Sequence, residues 1–398
     1  MDVTIYPSKL SGEITVPASK SISHRMLICA AFADRPTILL CNGSSGDLEA
    51  TVNCLNAIGA TIKRTTQGYI VTPVDIVPES ATLQCGQSGS TLRFLLPIVG
   101  ALGIDSTFNM EGRLSERPLA PLCNEMERMG CVITRPTDNT LRCTGRLQSG
   151  LYKITGNISS QFITGLLLSC AIMDGKSTIT IIDSLESKPY VTLTQNVMEL
   201  FGVQSENLCV NGVRRFISPG IVHIEGDWSS AAFYIAANAL QSNVTLKGLN
   251  PTSAQGDRHI ETMVADLAQY ITTDAADVPD LVPILSVVAA ANQGACFTGI
   301  HRLRLKESDR IETTIRMLNS IGIHSEATKD TLRVYPGKFT GGTVNPQSDH
   351  RIAMAAAIAA TVAEGPVRIL DAHCVGKSYP GFWDDYRNLG GRYELDIR

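Results

Sequence analysis

Lysine and arginine stand beside serine and glycine where helices are expected to begin, and the habit recurs along the chain. Lys20-Ser21-Ile22-Ser23-His24-Arg25 opens one apolar segment, and Gly86-Gln87-Ser88-Gly89-Ser90-Thr91-Leu92-Arg93 opens a second. Ser159-Ser160-Gln161 and Ser348-Asp349-His350-Arg351 open two more. Amphipathic segments repeat it in Ser115-Glu116-Arg117-Pro118, Ser187-Lys188-Pro189-Tyr190 and Lys306-Glu307-Ser308-Asp309-Arg310, and a last one follows Gly376-Lys377-Ser378-Tyr379-Pro380. A helix start presents unpaired N–H groups and a positive dipole end, so it suits an anion. Serine and glycine let a phosphate approach closely. Arginine adds a planar fork for phosphate or carboxylate, and lysine a mobile point charge. Serine, aspartate and proline at such places are also ordinary caps, and Asp309 with Glu312 makes a capping box. Capping leaves the recurring cations unexplained, because the helix dipole disfavours them at that end. Taken together, the starts predict one convergent site for more than one anion.

The elements that must carry these residues repeat six times. Six segments rich in small apolar residues read as buried helices: 21–31, 90–97, 160–168, 230–237, 281–290 and 350–358. Each leads into an expected strand, at 37–41, 106–110, 178–183, 243–248, 295–300 and 366–370. Amphipathic outer helices follow, ending on an apolar pair and a glycine at Gly59, Gly130, Gly202, Gly322 and Gly390. Glycine closes a helix in the left-handed conformation without a Cβ clash. The remaining copy, fourth in chain order and spanning Leu267 to Tyr270, is degenerate and has Ile271 where glycine would stand. A fixed register of this kind marks an internal repeat. The predicted unit is buried helix, strand, outer helix, strand, with a further strand or hairpin.

With 398 residues the chain exceeds what one core usually supports, so the six units are expected to divide three and three. A net charge of −4 gives no reason to expect nucleic acid, so any anion must be met by a local cluster of cations. The 11 cysteines show no metal-ligand spacing and read as buried thiols, Cys29, Cys54, Cys170 and Cys296 among them. The N-terminus reads as a strand, without a signal-peptide pattern. The longest apolar stretch, 352–363, is too short to span a bilayer. A soluble cytoplasmic protein, acting as a monomer with no membrane partner, is expected.

At these motifs the sequence resembles the 5-enolpyruvylshikimate-3-phosphate synthase family of enolpyruvyl transferases. The likeness runs from Pro17-Ala-Ser-Lys-Ser to Gly376-Lys-Ser-Tyr-Pro. It takes in Lys-Ser-x-Ser-x-Arg at 20–25, the Gly-x-Ser-Gly loop with Arg93, Glu-Arg-Pro at 116–118 and Ser-Ser-Gln at 159–161. It continues through Ser-Lys-Pro-Tyr at 187–190, Pro279-Asp280, Lys-Glu-Ser-Asp-Arg at 306–310, Asp-His-Arg at 349–351 and Lys377. The resemblance implies a two-domain inside-out α/β barrel of six βαβαββ units, three per domain, with buried helices. Residues 1–17 plus 227–398 would form a discontinuous first domain on the phosphoenolpyruvate side, and 18–226 a second on the shikimate 3-phosphate side. The active site would lie in the cleft between them. Two cationic half-sites should repel when empty and close on anionic substrates.

The family moves the enolpyruvyl group of phosphoenolpyruvate onto the 5-hydroxyl of shikimate 3-phosphate, through a tetrahedral intermediate, and releases phosphate. By resemblance Lys20, Ser21, Arg25, Ser159, Ser160, Gln161, Ser187, Tyr190, Asp280 and Lys306 hold shikimate 3-phosphate. Lys20, Gly89, Ser90, Arg117, Gln161, Arg310, Arg351 and Lys377 surround phosphoenolpyruvate. Asp280 is nominated to take the hydroxyl proton, Glu307 or Lys20 to protonate the methylene carbon, and the cationic cluster, Lys377 included, to stabilise the departing phosphate. His350 would help position a carboxylate. No metal and no organic cofactor is implied.

Some positions depart from the commoner pattern. Arg302 stands where asparagine is expected, either strengthening phosphate binding or pointing to solvent. Ser90 replaces threonine, His24 replaces asparagine and reads as a supporting or surface group, and Phe94 stands where proline is common. Gly89, where a larger side chain would crowd phosphoenolpyruvate analogues, implies sensitivity to glyphosate.

The sister transferase acting on UDP-N-acetylglucosamine usually carries a reactive cysteine before the Arg-Pro pair, and 109–117 has none. A non-catalytic anion-binding protein on the same scaffold would be expected to lose Asp280, Glu307 or Lys377, and all three are present. An RNA-end-processing enzyme would need a nucleotide-linked nucleophile signature and a broad basic surface, and neither is evident.

Overall fold

The computed structural model describes residues 1–396; residues 397 and 398 of the expected first domain lie outside them. The chain divides into two compact units. One comprises Met1–Pro17 and the chain from Glu225 onward, the other Ala18–Ile224. Among the described residues twelve α-helices alternate with strands: α1 Lys20–Ala31, α2 Gly46–Ala57, α3 Gly89–Leu102, α4 Ala120–Arg128, α5 Ser160–Ile172 and α6 Lys188–Leu200 in the inserted unit. The remainder are α7 Trp228–Ala239, α8 Ile260–Asp266, α9 Val282–Ala291, α10 Arg310–Ser320, α11 His350–Ala359 and α12 Phe382–Asn388.

The odd-numbered helices are buried nearly all round, as their apolar composition requires, and the even-numbered ones expose a polar face. Three sheets surround the buried helices of each unit, so the helices are inside and the strands outside. In the inserted unit, one sheet has the order Ser80–Gly86, Asp105–Met110, Thr140–Gly145, Cys131–Thr137. Its first two strands are parallel, the buried helix α3 being the crossover between them, and the last two are an antiparallel hairpin. The sheet Leu151–Ile154, Lys176–Ile181, Cys209–Asn211, Ser205–Glu206 copies this order. So does Ile271–Asp274, Ala295–Thr298, Thr331–Val334, Ser325–Ala327 in the other unit.

The departures from this plan occur where the chain passes between units and at its ends. Ile221–His223 completes the sheet of Thr37–Leu40 in parallel, while Ser11–Thr15 pairs in parallel with Asn243–Lys247. The first strands of two repeats are thus exchanged along the chain. Strand Asp2–Tyr6 fills the hairpin place in the last sheet, between Val367–Ile369 and Arg392–Asp396. The fourth repeat has a two-stranded sheet and no hairpin of its own. The strand after its outer helix, Ile271–Asp274, serves as the first strand of the fifth repeat. That accounts for the missing glycine and the short step from position 271 to 322.

Caps set the helix starts. Side-chain oxygens of Ser19, Ser45, Ser88, Ser159, Asp227, Asp309 and Asp349 each accept from a backbone N–H of the first turn. Of the expected Asp309–Glu312 box only this half forms, since Glu312 pairs with Arg316. Pro97 lies inside α3, where it removes the donor that would reach the Arg93 carbonyl. Gly165 of α5 packs there so closely that an added Cβ would stand 2.2 Å from Arg93 O. All cysteines are free; Cys29, Cys54 and Cys170 are buried and Cys296 is half-buried. Among the described residues no helix is long and apolar enough to cross a membrane.

Candidate active site

The sequence-selected residues gather into two clusters, one in each unit. In the inserted unit, Lys20 at the first turn of α1 pairs with Asp47 in the first turn of α2, Nζ to Oδ2 2.9 Å. Arg25, on the next turn of α1, is buried and ties three helices together. Its Nε donates to Thr194 Oγ1 at 2.8 Å, its Nη1 to Ser21 O at 2.6 Å, and its Nη2 to Thr164 Oγ1 at 3.2 Å and Tyr190 O at 3.0 Å. The guanidinium stands 5.1 Å from the centre of the Phe94 ring, and burial lowers its pKa to about 10. Ser21, Ser160 and Tyr190, which the resemblance assigns to shikimate 3-phosphate, therefore sit on helices that Arg25 holds in register. Ser187, at the start of α6, takes a left-handed φ of 55°. For a residue other than glycine this costs about 1 kcal/mol or more, and such strain gathers at functional sites.

At the start of α3, Arg93 Nη1 donates to Gln161 Oε1 at 2.9 Å, Gln161 Nε2 donates to Ser90 Oγ at 3.0 Å, and Arg93 Nη2 donates to Pro118 O at 3.1 Å. Gly89 lies against two guanidinium groups. A Cβ added there would stand 2.6 Å from Arg93 Nη1 and 2.9 Å from Arg117 Nη1. Only glycine leaves both cations their present places. Ser159 caps α5 by accepting from Gln161 N at 3.3 Å, which orients the turn carrying Ser160 and Gln161.

In the other unit Asp280, just before α9, is gripped by three cations. Its Oδ1 meets Arg310 Nη1 at 2.8 Å and Lys306 Nζ at 3.3 Å, and its Oδ2 meets Arg351 Nη2 at 3.0 Å. Arg310, itself 1% exposed, also binds Glu307 at 2.6 Å and Asp349 at 2.9 Å. Lys377 Nζ lies 3.7 Å from Glu307 Oε1. His350 is buried at the first position of α11, directly after the Asp349 cap. Lys306, Arg310, Arg351 and Lys377 thus meet Asp280, Glu307 and Asp349 in one cluster. Burial opposes ionisation of Asp280, but Arg351, Lys306 and Arg310 outweigh it and hold the carboxyl well below the ordinary range. Burial lowers Lys306, with Asp280 opposing, while Arg310 is raised despite burial by Asp349, Glu307 and Asp280.

Two expectations left open by the sequence are narrowed. Arg302 does not point to solvent: it is buried and its Nη2 donates to Ala276 O at 2.5 Å. His24 is not a surface group, being fully buried with Nδ1 2.7 Å from Thr51 Oγ1. Sequence reasoning gave no role to Asp47, Asp349 or Asp257. Asp257 is buried beside this second cluster, where burial, with Arg351 opposing, raises its carboxyl to about 6. Among the described residues no group of three or more histidine, cysteine, aspartate or glutamate side chains is arranged to hold a metal.

Comparison with known proteins bears on the family and the fold. A family model described as EPSP synthase (3-phosphoshikimate 1-carboxyvinyltransferase) matches residues 5–386. A 3-phosphoshikimate 1-carboxyvinyltransferase of Clostridium kluyveri is 38% identical, over 99% of this chain and 98% of its own. One from Clostridium perfringens is 38% identical, with 98% of each covered. Among solved structures, EPSP synthase of Acinetobacter baumannii matches at a TM-score of 0.81 and 24% identity, with both chains wholly covered. The enolpyruvyl transferase NikO from Streptomyces tendae matches at 0.76 and 17%, covering 99% of this chain and 98% of its own. Both share the fold.

Proposed function

The chain belongs to the EPSP synthase family, and from that premise we infer how its two charged clusters divide one reaction between them. The reaction transfers the enolpyruvyl group of phosphoenolpyruvate to the 5-hydroxyl of shikimate 3-phosphate and releases phosphate, a step of the shikimate pathway towards chorismate. Lys20, Ser21, Arg25, Ser159, Ser160, Gln161, Ser187, Tyr190, Asp280 and Lys306 bind shikimate 3-phosphate. Arg117, Arg310, Arg351 and Lys377, with Lys20, Gly89, Ser90 and Gln161, binds phosphoenolpyruvate.

Asp280 is the base for the attacking hydroxyl. What supports this reading above all is its grip by Arg310, Arg351 and Lys306. Those cations make the free carboxylate a poor proton acceptor, and they are also the groups that substrate anions would attract. A phosphate or carboxylate drawing charge from Arg310 and Arg351 returns basicity to Asp280, so the base strengthens when substrate is present. Glu307 or Lys20 protonates the methylene carbon, leaving positive character at the adjacent carbon for the hydroxyl to attack. Reversal of these proton movements expels phosphate, whose charge Lys377 and the arginines receive, with His350 holding the carboxylate end.

The chain works as a monomer in the cytoplasm; light scattering at assay concentration tests the first point. Phosphate release from phosphoenolpyruvate with shikimate 3-phosphate, set against UDP-N-acetylglucosamine, tests the reaction. Release with the second acceptor and not the first would overturn it.

A further inference from the structure

His24, Thr51, Thr91 and Ser88 form a hydrogen-bonded row through the inserted unit, linking α1, α2 and α3. His24 Nδ1 lies 2.7 Å from Thr51 Oγ1, which lies 2.7 Å from Thr91 Oγ1, which lies 2.7 Å from Ser88 Oγ. None of the four is more than 1% exposed, so the groups must satisfy one another.

Counting protons gives the row a direction. Each hydroxyl has one proton to donate. Asp47 O, which can only accept, lies 3.3 Å from Thr91 Oγ1, so the Thr91 proton goes to it or to Ser88. Thr51 must then donate to Thr91, and His24 must donate from Nδ1 to Thr51. Burial pushes the imidazole pKa down to about 3, so the ring is neutral with its proton on Nδ1. His24 Nε2 is buried and has no hydrogen-bond partner among the described residues, and the ring sits edge-on to Phe94 with centroids 6.2 Å apart.

The row ends where α3 begins. Ser88 Oγ accepts from Thr91 N at 3.2 Å, and Ser88 N donates to Cys85 O at 2.9 Å. The next two residues are Gly89 and Ser90. We propose that His24 is a positioning residue for phosphoenolpyruvate, acting through Thr51 and Thr91 to hold the Ser88 turn and with it Gly89 and Ser90. This rests on the assignment of Gly89 and Ser90 given above. Although His24 adjoins Arg25, its effect falls on phosphoenolpyruvate and not on shikimate 3-phosphate.

Thr51→Val keeps the shape and breaks the row. KM for phosphoenolpyruvate should rise about tenfold, the loss of one buried hydrogen bond, while KM for shikimate 3-phosphate stays within about twofold. Thr51→Ser, which loses a methyl group but keeps the hydroxyl, should restore the wild-type value. If Thr51→Val does not fold, His24→Leu against His24→Asn gives the same comparison, because the asparagine amide can stand in for Nδ1–H. Two unchanged KM values, or two that rise together, would overturn the proposal. Amide exchange at Thr91, without substrate, separates this from failure of the substrate assignment. It should quicken in Thr51→Val and not in Thr51→Ser, and equal exchange in both would overturn the proposal whatever the enzyme turns over.

Discussion

Arg310 donates to Asp280 at 2.8 Å through one arm of its guanidinium and to Asp349 at 2.9 Å through its Nε. The proposed base and the cap of α11 are therefore held by one buried cation. If Asp280 accepts the hydroxyl proton, Asp280→Ala should lower kcat by about a hundredfold to ten-thousandfold, the usual worth of a general base. Steady-state phosphate release measures it, and retained turnover would remove Asp280 from the mechanism.

The same pairing fixes a pH response. A carboxylate held below its ordinary 3.8 adds stability that is present above that value and lost as pH falls through the folded pKa. Asp280 stays ionised in the free enzyme throughout the working range. The profile of kcat/KM should show no acid limb from this group down to about pH 5. An acid limb that disappears in Asp280→Asn would contradict the assignment of the low pKa.

Gly89→Ala places a methyl group within 3 Å of two guanidinium nitrogens, 2.6 Å from Arg93 and 2.9 Å from Arg117. Displacing them should raise KM for phosphoenolpyruvate by about tenfold to a hundredfold, the scale of a small misplacement of binding groups. KM for shikimate 3-phosphate should stay near wild type, as initial rates with each substrate varied will show.

Gly165→Ala tests the contact between α3 and α5. The new methyl would meet Arg93 O, a backbone atom of α3, at 2.2 Å. A cost of about 1–3 kcal/mol is expected, read from denaturant unfolding. An unchanged midpoint would mean that the two helices separate more easily than their packing suggests.

Asp257 gives a stability signature of the opposite sign to Asp280. Its pKa is raised to about 6, so its contribution is intact below about 3.8 and lost as pH rises through 6. Asp257→Asn should therefore melt higher than wild type at neutral pH, by roughly 2–3 kcal/mol in unfolding free energy. The advantage should shrink towards pH 4. A pH-independent difference would show that Asp257 is ionised at no cost.

The six buried helices and their strands were legible because each repeat carries the same local signals: small apolar runs, caps and a closing glycine. The cations were legible because the dipole disfavours them at helix starts. Their partners were not. Asp47 and Asp349 carry no local sign of their role in the sequence, and only tertiary packing brings them to Lys20 and Arg310. Burying arginine requires a counter-ion, so the need for such carboxylates could have been anticipated, though not which ones would serve. His24 was left between a supporting and a surface reading for a related reason, since its partners lie on two other helices and share no local pattern with it. The fourth repeat was signalled by its missing glycine, but the sharing of Ile271–Asp274 with the next sheet was not.

The exchanged strands bear on how the chain is made. Residues 18–224 hold every strand of their own three sheets, from Thr37 to His223. This part can finish folding on the ribosome while later sequence is still being added. Strand Ser11–Thr15 must wait for Asn243–Lys247, and Asp2–Tyr6 for Val367–Ile369 and Arg392–Asp396. Both strands precede their partners by more than two hundred residues, and until those partners are made their edges stay open to other chains. The vulnerable interval in synthesis is the wait of these two strands for their partners, not the assembly of the larger insert.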